Sequence, residues 1–210
     1  SSKSCGEKRY TSLLMLKKII FFILFFFIPL TAQSENNSEI VKKFTKKFKT
    51  INNIKFDFIQ TGNGPGETGT CFLSYPKKLI CRYESDEEKE IIIKDNTLAI
   101  IKRKYQRVYY YRVSDSPFAT ILDKEKIIEQ ITNIKNVSSQ DGKLFFEFNN
   151  ENSTSSLQLF LNKDTLDIVG WKTTGYDQQT IVFTIKNSQI NTDIIEKFEI
   201  PEFNLFGNGN

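Results

Sequence analysis

An alternation of apolar and polar side chains dominates the chain after residue 53 and limits the folds open to it. In the first such stretch Ile54, Phe56 and Phe58 point one way, while Lys55 and Asp57 point the other. Short turns separate further runs of this kind, at 68–75, 79–84, 89–94, 98–102, 107–113, 134–139, 143–148, 156–161, 168–174 and 180–186. Strands this closely spaced predict an antiparallel meander, because parallel strands need longer crossover connections.

Helical periodicity appears in three places. Residues 36–50 predict an amphipathic helix, whose apolar face consists of Ile40, Val41, Phe44, Phe48 and Ile51. Two shorter helices are predicted at 116–122 and 124–131, where they interrupt the meander. A sheet of ten or eleven strands does not stay flat and open, so we expect a barrel or half-barrel with helices covering its mouth.

The segment Met15–Ser34 has the sequence of a secretory signal peptide. Two lysines precede a short apolar run, Pro29 ends that run, and Ala32–Ser34 resembles a small-x-small cleavage site. The run is short for a membrane span, which needs about 20 apolar residues. The prediction is export followed by cleavage; an uncleaved N-terminal anchor is the alternative.

These features predict the division of the chain. We expect residues 1–14 to be upstream sequence before a true start at Met15, residues 15–34 to be the signal peptide, and residues 35–210 to form a single domain. No further apolar run in the sequence approaches the length of a membrane span, so the exported product is expected to be soluble.

Charge and composition exclude several classes of function. Five of the 29 basic residues and one of the 25 acidic residues lie in the first 34, which leaves 24 of each in the exported part. A neutral domain gives no support to nucleic-acid binding. The chain has no histidine, which disfavours Ser–His and Cys–His catalysis and most zinc sites. We therefore expect no enzymatic activity, no metal and no other cofactor.

The alternating apolar residues give the sheet one wide apolar face. Such a face is either a packed core or the wall of a cavity for an apolar ligand. The residues alone do not choose between these two readings.

The order of several short motifs resembles the outer-membrane lipoprotein carrier family, the periplasmic chaperones of the Lol lipoprotein-sorting pathway. The matching segments follow an amphipathic N-terminal helix and are Phe58-Ile59-Gln60 at F-x-Q, Gly69 before a strand with a proline turn at Cys71–Pro76, Leu79–Tyr83, Asp95–Leu98 at D-G-x-x-L, Ser116–Leu122 at T-P-x-x-L-L, Asp177–Ile181, and Phe198–Pro201 at F-x-x-P.

The resemblance implies a mainly β (α+β) fold: a strongly curved antiparallel sheet forming an unclosed half-barrel, lidded by about three helices. It implies a periplasmic monomer that accepts acylated lipoproteins from an inner-membrane lipoprotein-releasing ABC transporter. The carrier would shield their acyl chains in an apolar cavity and deliver them to the outer membrane, where a lipoprotein receptor is a possible partner. Burial of an acyl chain is worth about 0.8 kcal/mol per CH₂, so such chains need cover in water.

The resemblance also implies the residues of the acyl-chain cavity. On the sheet they are Ile54, Phe56, Phe58, Leu73, Tyr75, Leu79, Cys81, Tyr83, Leu98, Ile100, Val169 and Trp171, and on the lid Phe118, Ile121 and Leu122. Two positions depart from the family pattern. Tyr75 stands where the family often has an arginine tied to lid movement, and its hydroxyl can still donate to a lid carbonyl, as a weaker, neutral donor. Asn96 replaces the glycine of the family's D-G turn.

Cys71 and Cys81 lie five residues on either side of Pro76. In a hairpin centred on that proline they are directly opposite, with their Cβ atoms about 4.5–5.5 Å apart. A disulfide is feasible there and an oxidising compartment favours it. The alternative is a pair of free thiols that act as small apolar residues of the cavity wall.

A second class of function competes with the carrier. Related half-barrel domains act in lipid sensing or envelope-stress signalling by binding a membrane-anchored partner, although these usually have a second domain or an anchor. A lipid-modifying enzyme is the third reading, which the absence of histidine and of any nucleophile motif disfavours.

Overall fold

The computed structural model describes residues 37–115, 118–134, 137–149, 156–175, 178–193 and 196–203. The predicted upstream segment and signal peptide lie outside these ranges, as do Ser116, Pro117 and Asp177. Within the described ranges, no helix has the length and apolar character needed to cross a bilayer.

Eleven strands and three α-helices make up the described fold. The strands are β1 (Asn53–Thr61), β2 (Glu67–Ser74), β3 (Lys78–Tyr83), β4 (Lys89–Lys94), β5 (Thr97–Lys102), β6 (Arg107–Arg112), β7 (Ser138–Gln140), β8 (Lys143–Asn149), β9 (Ser156–Asn162), β10 (Ile168–Thr174) and β11 (Thr180–Ile190). The helices are α1 (Asn37–Lys49), α2 (Phe118–Ile121) and α3 (Lys124–Thr132). The predicted mainly β fold with about three helices is confirmed.

All eleven strands belong to one antiparallel sheet, in the order β6-β5-β4-β3-β2-β1-β11-β10-β9-β8-β7. Two meanders, β1–β6 and β7–β11, are therefore joined where the first strand pairs with the last. That pairing runs from Ile54 opposite Ile190 to Thr61 opposite Val182, with a register shift between Lys55 and Asp57. Strands β6 and β7 form the two edges, so the described sheet is unclosed.

The three helices pack on one face of the sheet, which we call the helix-covered face. Helix α1 buries Phe44 and Phe48 there, and α3 buries Ile127 and Ile131. Side chains from both meanders join the same apolar cluster. Burying one large apolar side chain is worth about 1.5–3 kcal/mol, so this core holds the helices on the sheet.

The opposite face of β3, β4 and β5 is also buried. Ile80, Ile92, Ala99 and Ile101 form a second cluster there, and the C-terminal segment 196–203 packs on it through residues such as Phe198. A bidentate ion pair fixes this segment, because Arg82 donates to both carboxylate oxygens of Glu196, at 3.0 and 2.6 Å. The sequence has only the F-x-x-P match at Phe198–Pro201 in this segment and indicates no packing partner for it.

Gly69 permits a close approach of three strands. It pairs with Phe58 on β1 and with Tyr83 on β3. A Cβ atom on Gly69 would lie 2.1 Å from the carbonyl oxygen of Arg82 and 2.9 Å from the ring of Phe58. Position 69 therefore requires glycine, because a side chain there would clash with the neighbouring strands.

One strand is shorter than expected. The predicted strand 134–139 is limited in the structure to β7, because Ile134 still belongs to the turn that ends α3 and donates its N–H to the Ile131 carbonyl at 3.1 Å.

Candidate functional site

An apolar void lies between the helix-covered face and the segment that contains α2 and α3. The void is lined on the sheet side by Ile54, Phe56, Leu73, Tyr75, Leu79, Cys81, Leu159, Ile168, Trp171 and Ile185, and on the helix side by Ile121, Leu122 and Ile127. Both meanders contribute to the wall. Apart from the Tyr75 hydroxyl and the indole N–H of Trp171, the lining side chains are apolar, so the void suits a largely apolar ligand.

The void is nearly filled by the side chains around it. The volume open to the centre of a water-sized sphere is about 20 Å³, which is room for about one water molecule. No acyl chain fits into that space. The described conformation is therefore closed, and a larger ligand requires the helices to move away from the sheet.

Nine of the fifteen residues predicted for the cavity and lid line this void. From the sheet they are Ile54, Phe56, Leu73, Tyr75, Leu79, Cys81 and Trp171, and from the lid Ile121 and Leu122. The third lid residue, Phe118, begins α2, but its side chain is outside the described part of the chain.

Phe58 and Tyr83 lie farther along the same face and do not line the void. The Phe58 ring packs 4.9 Å from the Tyr83 ring and 4.7 Å from the Phe183 ring, measured between centroids. The Tyr83 hydroxyl donates to the side chain of Gln60 at 2.9 Å. These predicted positions are part of the packed core in this conformation.

Leu98 and Ile100 line a different depression, which we call the edge groove. Its wall consists of Asn96, Thr97, Leu98, Ile100, Tyr110, Tyr111 and Arg112, and its volume is about 790 Å³. The edge groove lies beside the edge strand β6 and is open to solvent. The predicted cavity residues are thus divided between a closed void and an open groove.

Val169 lines neither the void nor the edge groove. The pairing of β10 with β9 shifts between Ile168 and Gly170, so Ile168 occupies the position at the void that strict alternation from Trp171 would give to Val169. An irregularity of this kind reverses the face of the residues before it.

Four residues of the void were not predicted: Ile127, Leu159, Ile168 and Ile185. Ile127 and Ile131 are four residues apart on α3 and both are fully buried, so helical spacing could have identified Ile127. Leu157, Leu159 and Leu161 alternate in β9, which is also a readable signal. Ile168 could not be found in this way, because the register shift is invisible in the sequence.

A small set of polar contacts joins the β2–β3 turn to the segment that contains α2 and α3, which includes the predicted lid residues. The Tyr75 hydroxyl donates to the Ile121 carbonyl at 3.3 Å, and the Lys77 N–H donates to the Leu122 carbonyl at 3.1 Å. The first contact is a bond of the kind that the sequence allowed, from the Tyr75 hydroxyl to a backbone carbonyl of a predicted lid residue. Its length exceeds the usual 2.5–3.0 Å for O–H···O, so it is a weak bond. Burial raises the pKa of Tyr75, so the hydroxyl stays a neutral donor.

Lys124 reinforces this closure from α3. Its ammonium group lies 5.2 Å from the centre of the Tyr75 ring and donates to the Lys49 carbonyl at 3.3 Å. A cation over an aromatic ring and a cation at the end of a helix are both favourable. Lys124 therefore links the lid to the β2–β3 turn and to the end of α1.

Cys71 and Cys81 are directly opposite in the β2–β3 pairing and are joined by a disulfide. Their side chains are buried, at 0% and 1% exposure. The sulfur atoms lie on the helix-covered face, and Cys81 reaches the void. The bond cross-links the two strands that carry Leu73 and Leu79.

The part of the chain that the structure describes has no group of side chains suited to bind a metal ion. No group of three or more cysteine, aspartate or glutamate side chains is placed there to hold an ion. The chemistry that the site offers is apolar contact and a small number of neutral hydrogen bonds.

Among the solved structures that resemble this chain, three are similar over most of its length. A DUF1329 family protein from Desulfovibrio piger is 9% identical and has a TM-score of 0.46, with 76% of this chain and 94% of that chain covered. A putative outer membrane lipoprotein-sorting protein domain from Vibrio parahaemolyticus is 9% identical, with a TM-score of 0.45 and coverage of 77% and 95%. LprF from Mycobacterium bovis is 13% identical, with a TM-score of 0.43 and coverage of 74% and 93%.

At the level of sequence, no curated protein matches the chain. The sequence model of the family described as outer membrane lipoprotein carrier protein LolA matches residues 49–200, from the end of α1 to the C-terminal segment. This match covers most of the chain and includes every strand of the sheet. The chain therefore belongs to the outer membrane lipoprotein carrier protein LolA family.

Proposed function

We propose that the protein carries lipoproteins through the periplasm by binding their acyl chains between the sheet and the lid. The observation that carries this proposal is the void between them, where sheet and lid residues predicted for a cavity meet around one apolar space. Family membership supports the same reading. In this proposal the lipoprotein comes from an inner-membrane releasing transporter and leaves for the outer membrane.

Loading requires the lid segment to open, because the closed void has no room for an acyl chain. Opening breaks the Tyr75–Ile121 and Lys77–Leu122 bonds and exposes buried residues such as Leu122. The acyl chains then replace the contacts that the lid residues made with the sheet. Because both states bury apolar surface, the two are balanced closely enough for cargo to be taken up and released.

Apolar contacts also suit delivery. They have no preferred direction, and their strength grows with the area that is buried. A ligand held in this way can slide out when an acceptor offers an equal or larger apolar surface. A pocket with several fixed polar groups would instead hold one ligand shape and release it slowly.

The experiment that tests the proposal is release of a labelled lipoprotein from inner-membrane vesicles. The purified protein is incubated with loaded vesicles, and the soluble fraction is examined by native mass spectrometry. We expect a one-to-one complex with acylated lipoprotein. A lipoprotein whose acylated cysteine is replaced by serine is the matched control and is expected not to bind. Absence of label from the soluble complex would overturn the carrier function.

The alternative is a lipid-sensing or signalling domain that binds a membrane-anchored partner. The open edge groove favours it, since a protein segment can enter that groove without movement of the lid. The same experiment separates the two functions. A signalling domain would bind the soluble part of its partner equally well with and without acyl chains.

A further inference from the structure

Strand β6 is an unusual sheet edge. Tyr109, Tyr110 and Tyr111 are 40%, 61% and 54% exposed. None of their hydroxyl groups has a partner among the described residues. The other edge, β7, has three polar residues and no aromatic one. Short and polar strands are the ordinary protection of an edge, whereas a six-residue aromatic edge invites pairing with another strand.

The backbone of β6 is ready for such pairing. The Val113 N–H donates to the Asn96 carbonyl at 3.0 Å, and β5 pairs with β6 in the same register. Backbone groups alternate in direction along an antiparallel strand, so those of Val108 and Tyr110 point away from β5. In the described ranges no strand pairs with this outer side.

The edge is also strongly basic. The segment from Lys102 to Arg112 has five basic residues and no acidic one. Lys102 pairs with Glu87 at 2.8 Å and Arg103 with Glu90 at 2.6 Å. Lys104 and Arg107 form no ion pair with any described residue, so positive charge remains at the start of β6.

We propose that β6 receives an extended acidic segment of a partner protein as a twelfth strand of the sheet. Backbone hydrogen bonds to Val108 and Tyr110 would hold the segment, and its acidic residues would pair with Lys104 and Arg107. Alternate side chains of the added strand lie on the side of Tyr109 and Tyr111, where the edge groove accepts apolar groups. This surface needs no acyl cargo, so it stands independently of the carrier function.

Two other occupants fit the observations less well. A second copy of the chain would bring the same basic residues together and would be repelled. A membrane surface needs apolar and basic residues sorted to one side, as in interfacial helices. Here Tyr110 projects from one face of the sheet and Tyr109 and Tyr111 from the other, because side chains alternate along a strand.

The test measures fluorescence anisotropy of the full protein with a labelled peptide, Asp-Glu-Val-Thr-Val-Thr-Glu-Asp. One control peptide has lysine in place of each acidic residue. The other control peptide has methyl groups on alternate backbone nitrogens. We expect the parent peptide to bind and both controls to bind at least tenfold more weakly. Amide hydrogen exchange of Tyr110 in the unaltered protein is expected to slow when the parent peptide is added.

A matched pair of double variants locates the surface. Lys104→Glu with Arg107→Glu is expected to weaken peptide binding at least tenfold. Lys42→Glu with Lys46→Glu makes the same charge change on exposed positions of α1 and is expected to leave binding unchanged. Circular dichroism checks that both double variants fold. The hydrogen-exchange measurement at Tyr110 uses the unaltered protein and does not depend on a variant.

Four results would overturn the proposal. The first two are binding of the methylated peptide as tight as that of the parent peptide, and equal losses of peptide binding in the two double variants. The third is binding of the protein to phosphatidylglycerol vesicles without binding of the peptide. The fourth is self-association of the protein that the Lys104→Glu, Arg107→Glu variant abolishes.

Discussion

The hydroxyl of Tyr75 and the carbonyl of Ile121 form a hydrogen bond 3.3 Å long that ties the β2–β3 turn to the lid. The two residues are 46 positions apart in the chain. In the proposed carrier function, the bond joins the sheet wall of the void to the segment that moves. Its strength would therefore affect how often the void opens.

Removing this hydroxyl should loosen the lid. Tyr75→Phe keeps the ring that packs against Phe48 and loses the bond, at a cost of about 0.5–1.5 kcal/mol. We expect faster hydrogen exchange at the Lys77 amide, which bonds to the Leu122 carbonyl. Tyr83→Phe removes a second buried tyrosine hydroxyl and is the control, with no expected effect on exchange at Lys77. Equal exchange at Lys77 in both variants would show that the bond does not restrain the lid.

The same bond should be insensitive to pH in the neutral range. Burial raises the pKa of Tyr75, so the folded protein keeps this proton at pH values where the unfolded chain loses it. The resulting loss of stability starts only above the ordinary tyrosine value of about 10. Exchange at Lys77, corrected for its intrinsic pH dependence, is therefore expected to be constant from pH 5 to pH 9.

Charge placed on opposite sides of the void should have different effects. Leu122 on the lid and Leu159 on the sheet are both 0% exposed. Leu159→Glu leaves its carboxylate no route to water and should cost several kcal/mol of stability. In Leu122→Glu the charge reaches solvent when the lid opens, so we expect a smaller fall in melting temperature together with loss of lipoprotein loading. Equal falls in melting temperature would make Leu122 an ordinary core residue.

Gly69 and Gly64 provide a matched pair of glycine positions. Gly69→Ala forces a methyl group against the Arg82 carbonyl and should cost about 1–3 kcal/mol. Gly64 has no atom within 4 Å of the position of an added Cβ, and Gly64→Ala should change stability by less than about 0.5 kcal/mol. Urea unfolding measures both values. A stable Gly69→Ala protein would mean that β2 and β3 can separate without cost.

The disulfide predicts the number of reactive thiols. The chain has three cysteines, and two of them are bonded to each other. In the predicted exported part, residues 35–210, these two are the only cysteines, so it should show no reactive thiol when unfolded without reductant, and two after reduction. The loop closed by the bond is short, so the bond should stabilise the protein by at most about 2–3 kcal/mol. Two thiols without reductant would rule the bond out.

The C-terminal segment should respond to acid. Hydrogen bonds and charge from Arg82 hold the pKa of Glu196 below its usual range. The stabilisation is present above the unfolded value of about 4.3 and is lost as the pH falls through the lower folded value. Glu196→Gln should thus reduce stability at pH 7, and this effect should shrink as the pH falls below about 4.3. Glu202→Gln, at an exposed position, is the control, and a Glu196 effect that does not shrink with falling pH would exclude the ion pair as its cause.

Local patterns predicted most of the fold. The alternation from Ile54 onward located the strands of the first meander, and the symmetry of Cys71 and Cys81 about Pro76 gave the register of β2 with β3. The pairing of β1 with β11 could not be predicted in this way, because it joins residues about 130 positions apart, such as Asp57 and Lys186. The partner of Glu196 is equally remote in sequence.

Prediction of the site was best where one hairpin fixes the register. Leu73, Tyr75, Leu79 and Cys81 all line the void, because the proline turn sets both faces of the hairpin at once. Val169 was misplaced relative to Ile168, because a bulge reverses alternation without a sequence signal. The sequence also could not show that Leu98 and Ile100 line the edge groove and not the void, since that depends on where the helices end over the sheet.

The pairing of β1 with β11 has a consequence for biogenesis. The two meanders become one wall only when the last strand, which ends at Ile190, lies beside the first. A chain whose C-terminal part is not yet made has the segment of the Cys71–Cys81 hairpin, but it lacks Trp171 and Ile185 on the other side of the void. The complete apolar void therefore forms in one late step, and a product truncated before β10 cannot form it.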